Sequence, residues 1–267
     1  MKKELLDKVI LVTGGSGGIG NAIVNQLSNS GAKVISTYNH NIPVSVSDKN
    51  THWIKANLIN PEDQDNVISF TLKNFGKIDI VVNCAGILEP GNFLSLSKEK
   101  LKEMIDLNLT SVLMIIQKIL VVMKDQGFGH IINIGSLGAI VPMPYSAVYC
   151  ATKFALRGFS FSLSEELKGT GINFSLVTPG SVITKMLKHE SQSEDSAISF
   201  TSKPITPIKV ANTVLKVIQK PSIETIIPSS QSIPSKLLAF SPALFSKLYK
   251  ILHRMGVAGK KKYILRF

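Results

Sequence analysis

KVILVTGGSGGIG, residues 8–20, sets how the chain begins to fold. Its apolar run is short and continuous rather than alternating, which suits a strand covered on both faces. Glycines follow without a break, and apolar residues then recur at helical spacing from about Ile19 to Ser30. In this strand, turn, helix order each glycine has a physical use. Gly14 permits a tight turn, Gly18 lets backbone approach a pyrophosphate, and Gly20 allows the helix to pack closely on the strand. The N-terminus of the helix then turns its amides toward the phosphates. No Lys-Ser or Lys-Thr pair follows the glycines, so a phosphate-transferring P-loop is disfavoured and nucleotide binding is the expectation.

The same rhythm continues outward. AKVISTY (32–38), HWIKANL (52–58), KIDIVVNCAG (77–86), GHIINIGS (129–136), INFSLVTPG (172–180) and ETIIPS (224–229) are further strand candidates, separated by helical patterns. Such alternation predicts an α/β fold with a doubly wound parallel sheet, the Rossmann arrangement. NHNIPVSVSDKN, residues 39–50, breaks the pattern and reads as a loop or a single turn in place of a crossover helix. No repeat or linker divides the body, so residues 1–230 are expected to form one dinucleotide-binding and catalytic domain, with 231–267 as a basic amphipathic extension.

Composition limits the alternatives. Hydrophobic residues make up 44% of the 267 and charged residues 18%, a globular balance with a substantial core. The first residues carry charges on both sides of a short apolar run, unlike a signal peptide, and a cytoplasmic location is expected. Cys84 and Cys150 read as free thiols, with little support for a disulfide or a metal site. The longest apolar stretch, residues 107–123, is interrupted by Gln117 and Lys118 and reads as a buried helix. A helix over 101–125 that is apolar nearly all round predicts a second covering, such as the same helix of another subunit in a homodimer or homotetramer. The net charge of +12 is concentrated late: no acidic residue follows Glu224, while eight Lys and Arg do. No aromatic and basic stacking surface accompanies them, which argues against nucleic acid.

A second stretch carries the chemistry. In YSAVYCATKFALRGF, residues 145–159, Tyr149 and Lys153 stand one helical turn apart and so share a face. A cation beside a phenol lowers its pKa and makes it a usable proton donor. Ser136 lies thirteen residues upstream, Asn108 in DLNLTSV further back, and Asn83-Cys84-Ala85-Gly86 ends the fourth strand candidate. Pro179-Gly180 with Thr184 closes the series. With the glycine turn, these motifs in this order resemble the short-chain dehydrogenase/reductase family over roughly residues 5–230.

The resemblance implies a nicotinamide-dependent oxidoreductase acting on a ketone, an aldehyde or a secondary alcohol. Tyr149 would exchange a proton with the substrate oxygen, Lys153 would lower the Tyr149 pKa and hold the nicotinamide ribose, Ser136 would hold the substrate oxygen, and Asn108 would anchor a water leading from Lys153 to solvent. Contacts to the cofactor would come from Thr13, Gly14, Ser16, Gly18, Ile19 and Gly20 in the turn, and from Tyr38 and Asn39 after the second strand. Asn57 and Leu58 after the third strand, Asn83, Ala85 and Gly86 after the fourth, and Tyr149 with Lys153 would add to these. Pro179, Gly180, Val182 and Thr184 would complete the set. Asn57 stands where the family commonly has an acid facing the adenine, a departure that an amide can accommodate. Neither an acid nor an arginine follows Tyr38, so the resemblance implies that NADPH is preferred and NADH usable. The segment over about 185–206 would close the pocket as a mobile lid. A catalytically silent dinucleotide-binding sensor or scaffold is the competing reading, and the complete proton-handling set argues against it.

The basic tail holds a helix candidate, SPALFSKLYKILHRMG (241–256), with Ser241 as N-cap, Pro242 at the first position and Gly256 as its stop. Leu244, Leu248, Ile251, Leu252 and Met255 recur at helical spacing, with Lys247, Lys250 and Arg254 off that stripe. Two readings stay open: packing on protein, or peripheral contact with an anionic membrane that would suit a lipophilic substrate.

Overall fold

The computed structural model describes residues 5–42, 50–193 and 196–265. Seven strands form one wholly parallel sheet: β1 Val9–Thr13, β2 Lys33–Tyr38, β3 Thr51–Lys55, β4 Ile80–Asn83, β5 Gly129–Ile134, β6 Ile172–Pro179 and β7 Glu224–Ile227. Their order is β3-β2-β1-β4-β5-β6-β7, so the chain winds outward from β1 in both directions and leaves a crevice between β1 and β4 at the carboxyl ends of the strands. The expected loop at residues 39–50 falls largely on 43–49, outside the described residues.

Both faces of the sheet are covered, which is why its strands are continuously apolar. On one face α1 (Gly18–Asn29) inserts Ile23, Val24 and Leu27 beside Val210, Val214 and Val217 of α7 (Pro207–Gln219). On the other, α2 (Pro61–Phe75), α4 (Ser111–Gln126) and α5 (Ala147–Glu166) pack Val67, Ile116, Ile119 and Leu156 into a second core. The helix expected over 101–125 is not uniform. It comprises α3 (Lys98–Ile105), a π-helical turn Asp106–Thr110 and α4. Lys98–Gln126 is long and apolar enough to cross a membrane, yet Val112, Ile115, Ile116, Ile119 and Met123 face the sheet.

After β6 comes α6 (Lys185–Gln192), then a 3₁₀ turn Ile198–Phe200, and after β7 come α8 (Ser232–Phe240) and α9 (Pro242–Ile264). Ser241 caps α9 by accepting from the Leu244 amide, as expected. Gly256 does not end it. The helix continues for eight more residues because Gly256 and Gly259 are close-approach positions, where an added Cβ would stand 2.0 Å from the Ala197 and Phe200 carbonyl oxygens respectively. Small residues one turn apart thus seat α9 on the 3₁₀ turn, and Tyr263 stacks beside Phe200 with ring centroids 5.3 Å apart. The expected apolar stripe is split: Leu248 and Leu252 are half-buried, whereas Leu244, Ile251 and Met255 stand out with the basic side chains, and the buried positions are Phe245, Gly256 and Tyr263, outside that stripe.

Candidate active site

The glycine turn is built as its spacing requires. Gly14 has φ +66°, and an added Cβ would stand 2.6 Å from Ala85 Cα; at Gly20 it would stand 2.2 Å from the Gly14 carbonyl oxygen. The turn is tied to the sheet because the Gly14 amide donates to Thr37 Oγ1 and the Gly15 amide to the Thr37 carbonyl, each at 3.0 Å. Thr13 Oγ1 accepts from the Cys84 and Ala85 amides, joining the end of β1 to the end of β4. Ser16, Gly17 and Gly18 are exposed, and no side chain caps the N-terminus of α1. An open helix start beside a crevice, with no Cβ to fill the approach, fits the pyrophosphate of a dinucleotide.

At the outer end of this crevice, Tyr38 is in register with Lys55 of the adjacent β3, and Asn39 is exposed. Asn57 accepts from the Ile59 amide, and its own amide donates to Asp63 Oδ2 at 2.7 Å. A carboxylate from the first turn of α2 therefore stands beside Asn57, while Leu58 is buried. Neither Lys55 nor Asp63 was legible as a site residue, since their placement depends on strand register and on the helix start. Asn83 continues inward: its Nδ2 donates to Asn133 Oδ1 at 2.9 Å, and its Oδ1 is buried without a partner among the described residues.

The catalytic candidates converge. Asn108 lies in the π-helical turn, fully buried, with its amide clamping Ile87: Oδ1 accepts from the Ile87 N–H and Nδ2 donates to the Ile87 carbonyl, each at 2.8 Å. The same Nδ2 reaches Thr152 Oγ1 at 3.4 Å. Its side chain is therefore engaged with protein, which fixes the loop after β4 against α5. One turn along α5, Lys153 is buried, donates to the Ile134 carbonyl at 3.1 Å and stands 5.8 Å from the centre of the Tyr149 ring. Gly86 keeps this corner open, since an added Cβ would approach Asn108 Oδ1 to 3.2 Å.

Burial governs the titration here. It pushes the Tyr149 phenol well above its ordinary range, with the Ser136 hydroxyl contact working against it and Glu190 and Cys150 adding to it. Burial likewise lowers Lys153 to about 8, Cys84 working the other way. At neutral pH the phenol keeps its proton, as a donor to a carbonyl oxygen must. Cys84 and Cys150 are pushed up to about 12 and about 11, chiefly by burial, so neither thiol is a nucleophile at neutral pH. His, Cys, Asp and Glu form no metal-binding cluster among the described residues.

Ser136 stands two residues after β5 and accepts from the Gly138 amide at 3.0 Å. It opens with Tyr149 onto a cavity of about 260 Å³ whose lining also includes Ile19, Pro179, Gly180, Val182 and Thr184. The glycine turn, the Pro-Gly motif and the phenol thus share one space. The opposite wall was not legible: Pro234, Ser235 and Leu238 of α8 and Leu252 of α9 line the cavity, as do Glu190 of α6 and Gln231 before α8. The segment expected as a lid is packed into the body over its described residues, 194–195 lying outside them. The Ile183 amide donates to the Ile205 carbonyl and the Ile205 amide to the Ser181 carbonyl, and Phe200 is buried under Tyr263.

Residues 8–195 match the family described as short chain dehydrogenase. An uncharacterized oxidoreductase of Staphylococcus saprophyticus is 33% identical over 242 residues, covering 85% of this chain and 98% of that protein. Another from Staphylococcus aureus is 30% identical over 223 residues, 82% of this chain and 94% of its own. Among solved structures, ligand-free aldohexose dehydrogenase of Thermoplasma acidophilum superposes with a TM-score of 0.75 at 23% identity, covering 85% of this chain and 94% of that one. The 3-ketoacyl-(acyl-carrier-protein) reductase of Brucella melitensis, complexed with NADH, gives 0.74 at 22% identity over 83% and 97%. At such identities these two show the fold.

Proposed function

Because the chain belongs to the short-chain dehydrogenase family and is an oxidoreductase of it, we propose that it moves hydride between a nicotinamide dinucleotide and a ketone, an aldehyde or a secondary alcohol. The observation that carries this reading is the shared cavity of Ser136, Tyr149, Ile19, Gly180 and Thr184. Bound nicotinamide supplies the hydride in the reducing direction. Ser136 holds the substrate oxygen, and Tyr149 gives it a proton as negative charge develops. Lys153, buried beside the Tyr149 ring, stabilises the phenolate left behind and is placed to meet the ribose. Asn108 secures the loop after β4 on α5, keeping this corner in register. Tyr149→Phe preserves ring packing and removes general acid catalysis, so turnover should fall about a hundredfold to ten-thousandfold with cofactor affinity nearly unchanged. Retention of more than a few per cent of turnover in steady-state assays overturns the assignment.

The cofactor we favour is NADPH, with NADH usable. No carboxylate follows Tyr38, and Lys55 in register beside it offers a positive charge where a 2′-phosphate would lie. We place the enzyme in the cytoplasm as a homodimer or homotetramer, with Val121 of α4 and Phe154 of α5 among the exposed apolar groups for subunit contact. The outer face of α9 presents Leu244, Ile251 and Met255 beside Lys247, Lys250 and Arg254, which supports peripheral contact with anionic lipid. Each nearby basic residue contributes roughly 1 kcal/mol against such a surface. Cosedimentation of the full chain with anionic vesicles at low salt, and its absence with neutral ones, is the expected result; no cosedimentation with either removes the membrane contact.

A further inference from the structure

The cavity beside Tyr149 holds a carboxyl group that the oxidoreductase chemistry above does not use. Glu190, on α6, is 5% exposed and lines the same space as Ser136 and Tyr149. Ser199 Oγ donates to its Oε1 at 2.5 Å, and its second oxygen has no hydrogen bond among the described residues. A buried carboxyl with an open oxygen is costly unless something else meets it. Gln231, across the cavity, differs: its Nε2 donates to Ser202 Oγ, and its Oε1, unpartnered among the described residues, is buried against Gly180, away from the open space.

Most of the hydroxyl donors in the lining beyond Ser136 and Tyr149 are already engaged, Ser202 being an exception that accepts from Gln231. Ser181 donates to the Ser199 carbonyl, Thr184 to the Val182 carbonyl, Thr201 to the Ile198 carbonyl and Ser235 to the Ser232 carbonyl, while Ser199 serves Glu190. The rest of the wall is mainly apolar, including Leu88, Val141, Met143, Leu238 and Leu252. The space beyond the catalytic pair therefore offers one strong acceptor, the Glu190 carboxyl, set in an apolar surface. An apolar molecule would leave it unpaired, and a site of that kind discriminates strongly against an analogue lacking the matching donor.

Charge decides between a hydroxyl and an ammonium as that donor. The titratable groups facing Glu190 are Lys260 of α9 and His189 of α6, with Tyr149 and Cys150 of α5 on the other side. Lys260 already supplies a positive charge to this carboxyl and would repel a further cation, whereas a neutral hydroxyl is not repelled.

Resting on the reading of this site as a carbonyl or alcohol oxidoreductase, we infer that Glu190 is a substrate-positioning residue that selects an apolar ketone, or its alcohol, bearing a second hydroxyl remote from the reacting carbon. Glu190 accepts from that hydroxyl and so sets how the carbonyl oxygen is presented to Tyr149. Burial raises Glu190 to about 7, with Ser199, Lys260 and His189 working against it. The preference for the hydroxyl should accordingly strengthen from pH 6 to pH 8 as the carboxyl ionises and becomes the stronger acceptor.

The test uses cyclic ketones in matched pairs, hydroxyl against methyl at several distances from the carbonyl, with the full-length enzyme and reduced cofactor. At the fitting distance the hydroxyl member should have a kcat/KM about tenfold or more above its methyl partner. Glu190→Leu should bring that ratio close to one. Glu190→Gln, which keeps an acceptor and the shape of the side chain, should keep a preference that no longer varies with pH. Titration of Tyr149 or Lys153 affects both members alike and cancels in the ratio. A ratio near one in the wild-type enzyme at every distance overturns the inference, as does an unchanged ratio when both rates fall in the variants, the mark of a purely structural carboxyl. Turnover of no ketone with either cofactor overturns the oxidoreductase reading itself and this inference with it.

Discussion

The cofactor crevice and the substrate cavity are neighbours built on different terms. The crevice is made by one short stretch, Thr13 to Gly20, held against Thr37 and Ala85 by backbone geometry that tolerates no Cβ at Gly14 or Gly20. The outer wall of the cavity is assembled from α6, the 3₁₀ turn, α8 and α9, parts that approach one another only in the folded chain. Backbone constraint leaves a local signature in sequence, and a wall made by side chains from four segments leaves none. The family match reflects the same division, since it ends at residue 195, before the 3₁₀ turn and both terminal helices.

The sharpest way to break the comparison is at Gly14. Alanine there would face a left-handed backbone, φ +66°, and the Ala85 backbone 2.6 Å away. Relief requires the turn to move, and misplacement of reacting groups by about 1 Å costs about a hundredfold in rate. Gly14→Ala should lower kcat/KM by that order and weaken cofactor binding in a direct titration. Unchanged cofactor affinity would mean that the crevice is as tolerant as the cavity wall, and the contrast between them would disappear.

What was legible follows the same line. The seven strands, the parallel sheet and the convergence of Asn108, Ser136, Tyr149 and Lys153 could be read because each rests on a local pattern or a fixed spacing. DLNLT gave no sign of its π-helical turn, since Leu107 and Leu109 continue the apolar run into α4 and the distortion is anchored by the clamp of Asn108 on Ile87. Gly256 was misread as a helix stop because a glycine after an amphipathic run signals a terminus and close helix packing equally well. Only the contact with Ala197 distinguishes them. Glu190 gave no signal because an acid in a polar stretch is the usual mark of a solvated surface, and its burial depends on Phe200 and α9 folding over α6.

Gly256 provides a smaller, complementary break. Leucine there cannot fit within 2.0 Å of the Ala197 carbonyl oxygen, so α9 should lift from the 3₁₀ turn and take Leu252 out of the cavity wall. With the crevice untouched, Gly256→Leu should raise the substrate KM about tenfold while the dissociation constant of the cofactor stays within about twofold, loss of one apolar wall group costing roughly 1–3 kcal/mol. Parallel loss of cofactor affinity would show that the two regions are one cooperative unit.

The smallest effect is expected at the far end of the crevice, where solvent screens charge. Lys55 lies in register with Tyr38 and is exposed, so its attraction for a 2′-phosphate resembles that of a surface ion pair, at most about 1 kcal/mol. Lys55→Glu reverses the charge and adds repulsion of the phosphate to the loss of attraction, while a ribose with a free 2′-hydroxyl gains an acceptor. The ratio of kcat/KM for NADPH to that for NADH should therefore fall about tenfold, near 1.4 kcal/mol, with the rate at saturating cofactor little changed because the hydride-bearing end is untouched. Raising the salt concentration should shrink the wild-type preference toward that of the variant, since exposed charges interact weakly beyond a Debye length. A ratio insensitive to both the substitution and salt would place phosphate recognition elsewhere along the crevice, in the glycine turn and its helix start.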